Sequence, residues 1–257
     1  MSDASVPSPA SGTLAAVWRL PHAPGLALTV LLIGLAQSLA APYLPLFAVD
    51  RLGLTPLQLG VFLTLTAVCS VLISTRLARL SDRLPDRRPV LLLALAAGAL
   101  GYAGLSVTRA YPVMLLIGAT LLATDAAAFP QVFSLARARF AAAPGSLPDR
   151  AVTALRSVFA LAWVVGPGVG ALALARLDFG GLFLLTAGCL ALAALPVLRM
   201  RAARPAPVTA ALPQEERPRE QPRRPLAWVA CAFVLDRKSG SAGMPRPTRK
   251  SRMPSSA

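Results

Sequence analysis

Long apolar runs alternate with short polar segments along most of this chain. Crossing the hydrocarbon core of a bilayer takes about 20 apolar residues. Six runs meet that length, at residues 25–49, 57–78, 89–107, 112–136, 151–175 and 181–198. Because lipid offers the backbone no hydrogen-bonding partner, each run is expected to be an α-helix. The pattern predicts an all-α membrane protein with six transmembrane helices.

The polar ends of the chain divide into separate segments. Residues 1–24 are rich in Pro and Ser and are expected to be a retained cytoplasmic segment rather than a cleaved signal. Residues 199–225 are rich in Pro and charge, which predicts a cytoplasmic linker. Residues 226–235, LAWVACAFVL, begin like a seventh span but stop after ten residues, which is too short to cross.

The remaining residues, 236–257, are polar and basic and are expected to be disordered. They hold both lysines of the chain, Lys238 and Lys250, whereas arginine supplies the basic side chains before them. This change of usage suggests a hypothesis: the tail follows a truncated seventh helix as an out-of-frame or fused product. A shifted reading frame that continues the helix would support the hypothesis.

Arginines concentrate in alternate connections between the apolar runs. The connections after runs one, three and five hold one arginine each, Arg51, Arg109 and Arg176. The other connections are richer, with Arg76, Arg79, Arg83, Arg87 and Arg88 after run two, Arg137, Arg139 and Arg150 after run four, and seven arginines in residues 199–224. Cytoplasmic loops of membrane proteins carry such an excess of Lys and Arg. The asymmetry predicts that both ends of the six-helix unit are cytoplasmic.

Composition excludes several other functions. The chain is 55% hydrophobic and 14% charged, unlike a typical soluble domain. Its net charge of +15 is explained by the cytoplasmic loops, and no aromatic residues interleave with the basic runs, so no nucleic-acid partner is expected. The three cysteines and the lone histidine lie too far apart to form a metal site and are expected to be structural; they are Cys69, Cys189, Cys231 and His22. No catalytic pair or phosphate loop occurs, so we expect neither an enzyme nor a cofactor.

The charged connection after run two, residues 75–93, resembles the loop signature of the major facilitator superfamily. Asp82 and Arg83 match its Asp-Arg pair, and residues 86–88 (Asp-Arg-Arg) occupy its basic end. Ala78 and Pro85 replace its two glycines. The resemblance implies a conformational latch in which the aspartates Asp82 and Asp86 pair with Arg83, Arg87 and Arg88 or with a helix N-terminus. The alternative is a topology anchor without a latching role.

The fifth run also resembles this superfamily. Gly166, Pro167 and Gly170 match its Gly-Pro-x-x-Gly motif, while Ala162 and Ala171 stand where glycines are usual. Small residues let helices approach closely, and proline loosens the helical hydrogen bonding. The motif therefore predicts a close helix contact that is able to bend.

Three stretches together, SDRLPDRRPVLLL, FPQVFSLARARF and LRSVFALAWVVGP, resemble the bacterial sugar efflux transporter (Set) family. The resemblance implies proton-coupled export of sugars or glycosides across the bacterial inner membrane by alternating access, with twelve helices in two six-helix halves. This chain would supply one half and would need a second copy or a separate second half as partner. The alternatives are a truncated fragment that does not transport, and a multidrug efflux protein.

Polar side chains within the spans are candidate site residues because lipid makes them costly. Asp125 is a candidate for proton coupling; the alternatives are an ion pair with Arg156 and a tolerated neutral acid. Arg156 is expected either to snorkel to the interface or to donate to sugar hydroxyls. The amides and aromatic rings that complete the predicted sugar-binding set are Gln37, Tyr43, Gln131 and Trp163.

Overall fold

The computed structural model describes residues 16–200. The segments predicted as a truncated seventh helix, at 226–235, and as a disordered tail, at 236–257, lie outside the described residues. So do nearly all of the predicted linker and most of the N-terminal segment. The predictions for those segments therefore remain predictions.

The described part of the chain is helical, as the sequence predicts. We name the helices α1 (Ala23–Asp50), α2 (Pro56–Arg83), α3 (Arg88–Val107) and α4 (Tyr111–Phe140). One further helix, Leu147–Arg199, has 53 residues. All five are long and apolar enough to cross a membrane.

The helix Leu147–Arg199 contains the last two predicted spans. Asp178 interrupts it with φ 57° and ψ −176°, a non-helical conformation. Tyr43 contacts Gly170 on one side of this break, and Phe47 contacts Phe183 on the other, with ring centroids 4.9 Å apart. The chain therefore reverses at Asp178, and we treat residues 147–177 as α5 and 179–199 as α6. The last two predicted spans thus lie on either side of this break.

Local sequence features set several helix boundaries. At the start of α2, the Thr55 side chain accepts from the backbone N–H of Gln58 and the Gln58 side chain accepts from that of Thr55, a capping box. Pro56 follows at a first-turn position, where its missing N–H costs nothing. The first turns of α1, α3, α4 and α5 also hold a proline. These prolines mark where each span begins.

Helices α1 and α4 are irregular inside. Helix α1 is broken at Ala41 and Pro42, between Ala23–Ala40 and Tyr43–Asp50. Helix α4 widens into a π-turn at Gly118–Leu122 and breaks again at residues 126–127. Pro130 has no N–H to donate back to the preceding turn, which explains the second break. Such irregular turns in membrane helices are tolerated where they are covered by protein.

The helix directions follow from the contacts. On α1 and α5, contact positions rise together along both helices, so the two run parallel. Helix α3 runs antiparallel to α6, with Gly98 against Leu190 and the Tyr102 ring near Phe183. It also runs antiparallel to α4, where Gly101 meets Leu122. These directions are those of six successive crossings.

The two ends of the bundle differ in the groups that they bring together. At one end Arg51, after α1, forms an ion pair of 3.0 Å with Asp178 between α5 and α6. At the opposite end Arg87 donates to Ser134 of α4 and Arg88 donates to the carbonyl of Met200 after α6. The arginine-rich connections therefore share one end of the molecule.

Candidate functional site

Helices α1 and α5 pack through a row of small residues. A methyl group added at Gly34 would lie 2.8 Å from the Ala162 Cβ, and one added at Gly166 would lie 2.5 Å from the Ser38 Cβ. Neither position has room for a side chain. Helices α1 and α5 are therefore in close contact at Gly166 of the Gly-Pro motif.

Hydrogen bonds reinforce this contact. The Ser38 hydroxyl lies 3.2 Å from the carbonyl of Ala162 and 3.0 Å from that of Leu35. The Tyr43 hydroxyl donates to the carbonyl of Pro167 over 2.8 Å, and the Tyr43 ring covers Gly170. Tyr43, predicted as a sugar ligand, thus also joins α1 to the Gly-Pro motif.

Sequence reasoning missed Gly34 and Ser38. A signal was present, because their spacing of four residues is the small-x-x-x-small pattern of closely packed membrane helices. Ala162, Gly166 and Gly170 repeat that spacing on α5. Matching the two series would have predicted the pairing of α1 with α5.

Aromatic rings form a continuous wall along α4 and α5. Phe129 lies 4.9 Å from Phe133 and 4.6 Å from Phe159, and Phe159 lies 6.3 Å from Trp163, measured between ring centroids. The Trp163 ring is exposed. Such a wall offers stacking surface for the apolar face of a sugar ring. Of these four rings, only Trp163 was assigned to the site from sequence.

A pocket of about 500 Å³ opens at the arginine-rich end of this wall. Three arginines from different parts of the chain line it: Arg87 from the connection before α3, Arg137 of α4 and Arg156 of α5. The Arg156 guanidinium carbon lies 5.8 Å from the centroid of the Phe133 ring. Arg156 is therefore held on an aromatic face and is open to solvent.

Asp125 lies in the interior of the bundle. It is 5% exposed and packs against Gly98 of α3, where Leu190 of α6 also approaches. Its Oδ1 atom has no hydrogen-bond partner among residues 16–200. The alternative of an ion pair with Arg156 is wrong in this structure, because Arg156 lies on Phe133 instead. The role of Asp125 in proton coupling stays a prediction.

The two amides of the predicted sugar set lie in different environments. Gln131 is 3% exposed, and its Oε1 atom has no partner within the described chain. Gln37 is half-buried on α1, next to Ser38 at the contact with α5. Arg156 and Trp163 thus lie on α5, and Tyr43 bonds to it from α1. Gln131 and Asp125 are instead enclosed within the bundle.

The charged connection between α2 and α3 contains two ion pairs. Asp82 lies 3.1 Å from Arg87. Asp86 lies 2.6 Å from Arg88 and also accepts the Arg88 backbone N–H, 3.1 Å away, in the first turn of α3. Arg83 is exposed. Asp86 therefore contacts the N-terminus of α3.

Burial and hydrogen bonding act in opposite directions on the pKa of Asp86. Burial alone would raise the pKa of its carboxyl group, but hydrogen bonds from the Arg88 side chain and backbone outweigh burial and hold that pKa below its ordinary value. The Asp86 carboxylate therefore stays charged at neutral pH. No group of three or more His, Cys, Asp or Glu side chains that could hold a metal ion occurs within residues 16–200.

The small-residue helix contact, the polar groups within the spans and the charged connection are those of a polytopic α-helical membrane protein. Residues 26–238 match the family model of the Major Facilitator Superfamily. The match covers more than half of the chain, and the chain belongs to this superfamily.

The chain is also similar to individual curated proteins. The chain is 54% identical over 219 residues to the "Putative sugar efflux transporter" of Deinococcus radiodurans, covering 84% of this chain and 56% of that protein. It is 33% identical to "Sugar efflux transporter A" of Dickeya chrysanthemi over the same shares. Identity to "Sugar efflux transporter C" of Escherichia coli is 36%, over 54% of this chain and 35% of that protein. The chain thus spans about half the length of the curated relatives it matches.

Proposed function

We propose that this chain forms the first six-helix half of a sugar efflux transporter. The observation that carries the proposal is its 54% identity to a sugar efflux transporter across 84% of the chain. Two features of α5 support the proposal. Its close contact with α1 would let it move against its neighbours, and the aromatic wall beside that contact offers a stacking surface. The proposed mechanism is alternating access, in which two halves rock about a site near the bilayer midplane.

The proposed substrate is a sugar or glycoside, held by polar and aromatic groups on α1, α4 and α5. Trp163 would stack on the ring, and Arg156, Gln37, Tyr43 and Gln131 would bond its hydroxyls. Trp163 and Arg156 are exposed and ready for contact. Gln131 would need α4 to rotate, because its side chain is now enclosed.

Asp125 is the proposed proton carrier. Its Oδ1 atom is buried without a partner among the described residues, a situation that favours the neutral acid. A carboxyl group that gains and loses a proton as the bundle opens would couple proton entry to sugar exit. The charged connection with Asp82, Arg83, Asp86, Arg87 and Arg88 would latch one conformation on the cytoplasmic side of a bacterial inner membrane.

Transport through this arrangement requires a second half. We propose that the partner is either a second copy of the chain or a separate six-helix half. The second candidate function is a membrane-inserted chain that does not transport, and the uptake experiment distinguishes it from a transporter.

Everted membrane vesicles test the proposal. Vesicles that contain the chain should accumulate labelled lactose or a labelled glucoside when a proton gradient is imposed. Asp125→Asn should abolish accumulation, because an amide side chain does not gain and lose a proton as a carboxyl group does. Asp149→Asn, at an exposed acid of α5, should leave accumulation unchanged. Uptake no greater than in empty vesicles, with insertion confirmed, would instead support the non-transporting fragment.

A further inference from the structure

We propose that the pocket between α4 and α5 binds a phosphate-bearing anion. The pocket has Arg87, Arg137 and Arg156 around it and the rings of Phe129 and Phe133 on its wall. The proposal concerns binding at this pocket and does not depend on whether the chain transports sugars.

The first argument for an anion is the positive charge of the residues that line the pocket. Its lining includes three guanidinium groups and no acidic side chain. Arg87 is partly neutralised by Asp82, whose side chain is 67% exposed. Arg137 and Arg156 form no ion pair with any acid in residues 16–200. Like charges drawn to one concave surface repel each other, and an anion bound among them removes that repulsion.

The second argument is the arrangement of the arginine side chains around the pocket. The three arginines come from three separate elements, so a ligand between them would be held from several directions. Arg156 is placed on the Phe133 ring, and Arg87 is tied to Ser134 and Asp82. Their orientations are therefore set before a ligand arrives. Guanidinium groups bind phosphate oxygens through pairs of parallel hydrogen bonds, which makes arginine the usual residue for this anion.

The size of the pocket and its apolar wall indicate what else the ligand contains. A volume of about 500 Å³ falls within the range of small-molecule sites and exceeds what free phosphate needs. Phe129, Pro130 and Phe133 form an apolar side next to the arginines. The ligand class is therefore a phosphate ester with a bulky body. Two sources share this chemistry, a soluble sugar phosphate and the headgroup of an anionic phospholipid.

Binding to the purified full-length chain in nanodiscs tests the proposal. The probes are labelled glucose 6-phosphate, glucose and inorganic phosphate, each in phosphatidylcholine discs and in discs that also contain phosphatidylglycerol. The variants are Arg137→Gln and Arg156→Gln, with Arg79→Gln as matched control, because Arg79 is an exposed arginine at the same end that does not line the pocket. Size-exclusion profiles confirm that each variant is folded.

We expect a phosphate-bearing compound to bind, with affinity reduced at least tenfold by Arg137→Gln and by Arg156→Gln and unchanged by Arg79→Gln. Glucose 6-phosphate binding in phosphatidylcholine discs identifies a soluble ligand. Arginine-dependent enrichment of phosphatidylglycerol around the protein, without glucose 6-phosphate binding, identifies a lipid. If neither glucose 6-phosphate nor phosphatidylglycerol binds, the proposal is wrong. It is also wrong if the three arginine variants bind the ligand with the same affinity. Because no arm measures transport, a failure here is distinct from a failure of sugar uptake.

Discussion

At the scale of single residues, glycines in this bundle mark where polar side chains are enclosed. Gly98 leaves the space that the Asp125 carboxyl group occupies. An uncompensated buried carboxylate would be costly, and a neutral acid in a close-fitting space costs less. The fit between Gly98 and Asp125 is therefore a condition for keeping an acid inside this bundle.

Gly98→Ala should lower the free energy of unfolding by about 1–3 kcal/mol, because the added methyl group overpacks the site. It would lie 2.6 Å from Asp125 Cγ and 2.7 Å from Leu190 Cδ1. Unfolding in mixed detergent micelles measures the effect. Gly188→Ala is the control, since no atom other than those of its chain neighbours and the local helix backbone lies within 4 Å of its added methyl group. In an Asp125→Ala background the cost should shrink, and an unchanged cost would contradict the proposed contact.

Asp86→Asn should lower stability by about 1 kcal/mol, because it removes the ion pair with Arg88 and replaces the oxygen that accepts from the Arg88 side chain with an NH2 group. The pKa of Asp86 is depressed in the folded chain. Its contribution is therefore present above the ordinary aspartate pKa, about 4, and is lost as the pH falls through the lower folded value.

Thermal unfolding of both proteins across pH checks this sign. The difference between them should be constant from about pH 8 to pH 5 and should disappear only in stronger acid. Asp149→Asn, at an exposed acid without an ion pair in the described residues, should show no difference. A difference that grows as the medium becomes more acidic would mean that Asp86 is not held as a carboxylate.

At the scale of helices, the parallel pair α1 and α5 depends on matched small residues. Gly34 meets Ala162, Ser38 meets Gly166, and the offset between the contacting positions stays constant. In lipid no hydrophobic force draws two apolar helices together, so close backbone approach and hydrogen bonds decide which helices pair. The Gly-Pro motif is thus first a packing surface in this structure.

Gly166→Leu should separate α1 from α5 and lower the free energy of unfolding by about 2 kcal/mol or more, because its side chain would enter the space of Ser38. Gly168→Leu is a matched control on the same helix, where nothing lies within 4 Å of the added Cβ. Unfolding in mixed micelles distinguishes the two. Equal losses would show that a bulky side chain anywhere on this part of α5, rather than its entry into the α1–α5 contact, is responsible.

At the scale of the whole molecule, two apolar surfaces remain uncovered by the described chain. Only 6% of the apolar window of α2 is buried. On α5, Leu161, Val164 and Leu172 are exposed. Lipid tails or a second six-helix half would cover both surfaces equally well.

Reporter fusions test the orientation of the six helices. Alkaline phosphatase should be active when fused at Gly53, between α1 and α2, and inactive at Gly145, between α4 and α5. A green fluorescent protein fusion should show the reverse. The reason is that three arginines, Arg137, Arg139 and Arg150, hold the second connection on the cytoplasmic side, whereas the first has Arg51 alone. An active phosphatase at Gly145 would contradict this orientation.

For residues 16–200, the sequence alone predicted that the chain is helical and where its apolar runs lie. Hydropathy measures the length of each apolar run, and the bilayer requires every such run to be helical. It also identified the charged connection and the Gly-Pro motif, because their residue types are unusual within an apolar chain. The break at Asp178 fits this picture, since it separates two runs that were already distinct by length.

Only the tertiary structure decided which side of each helix meets which neighbour. Faces toward lipid and faces toward protein are both apolar, so the hydrophobic pattern does not indicate rotation about the helix axis. For this reason the sequence led to a possible Asp125–Arg156 pair, whereas packing encloses Asp125 against Gly98 and places Arg156 on Phe133. The meeting of Arg87, Arg137 and Arg156 at one pocket has the same origin, because residues this far apart in sequence become neighbours only when the helices pack.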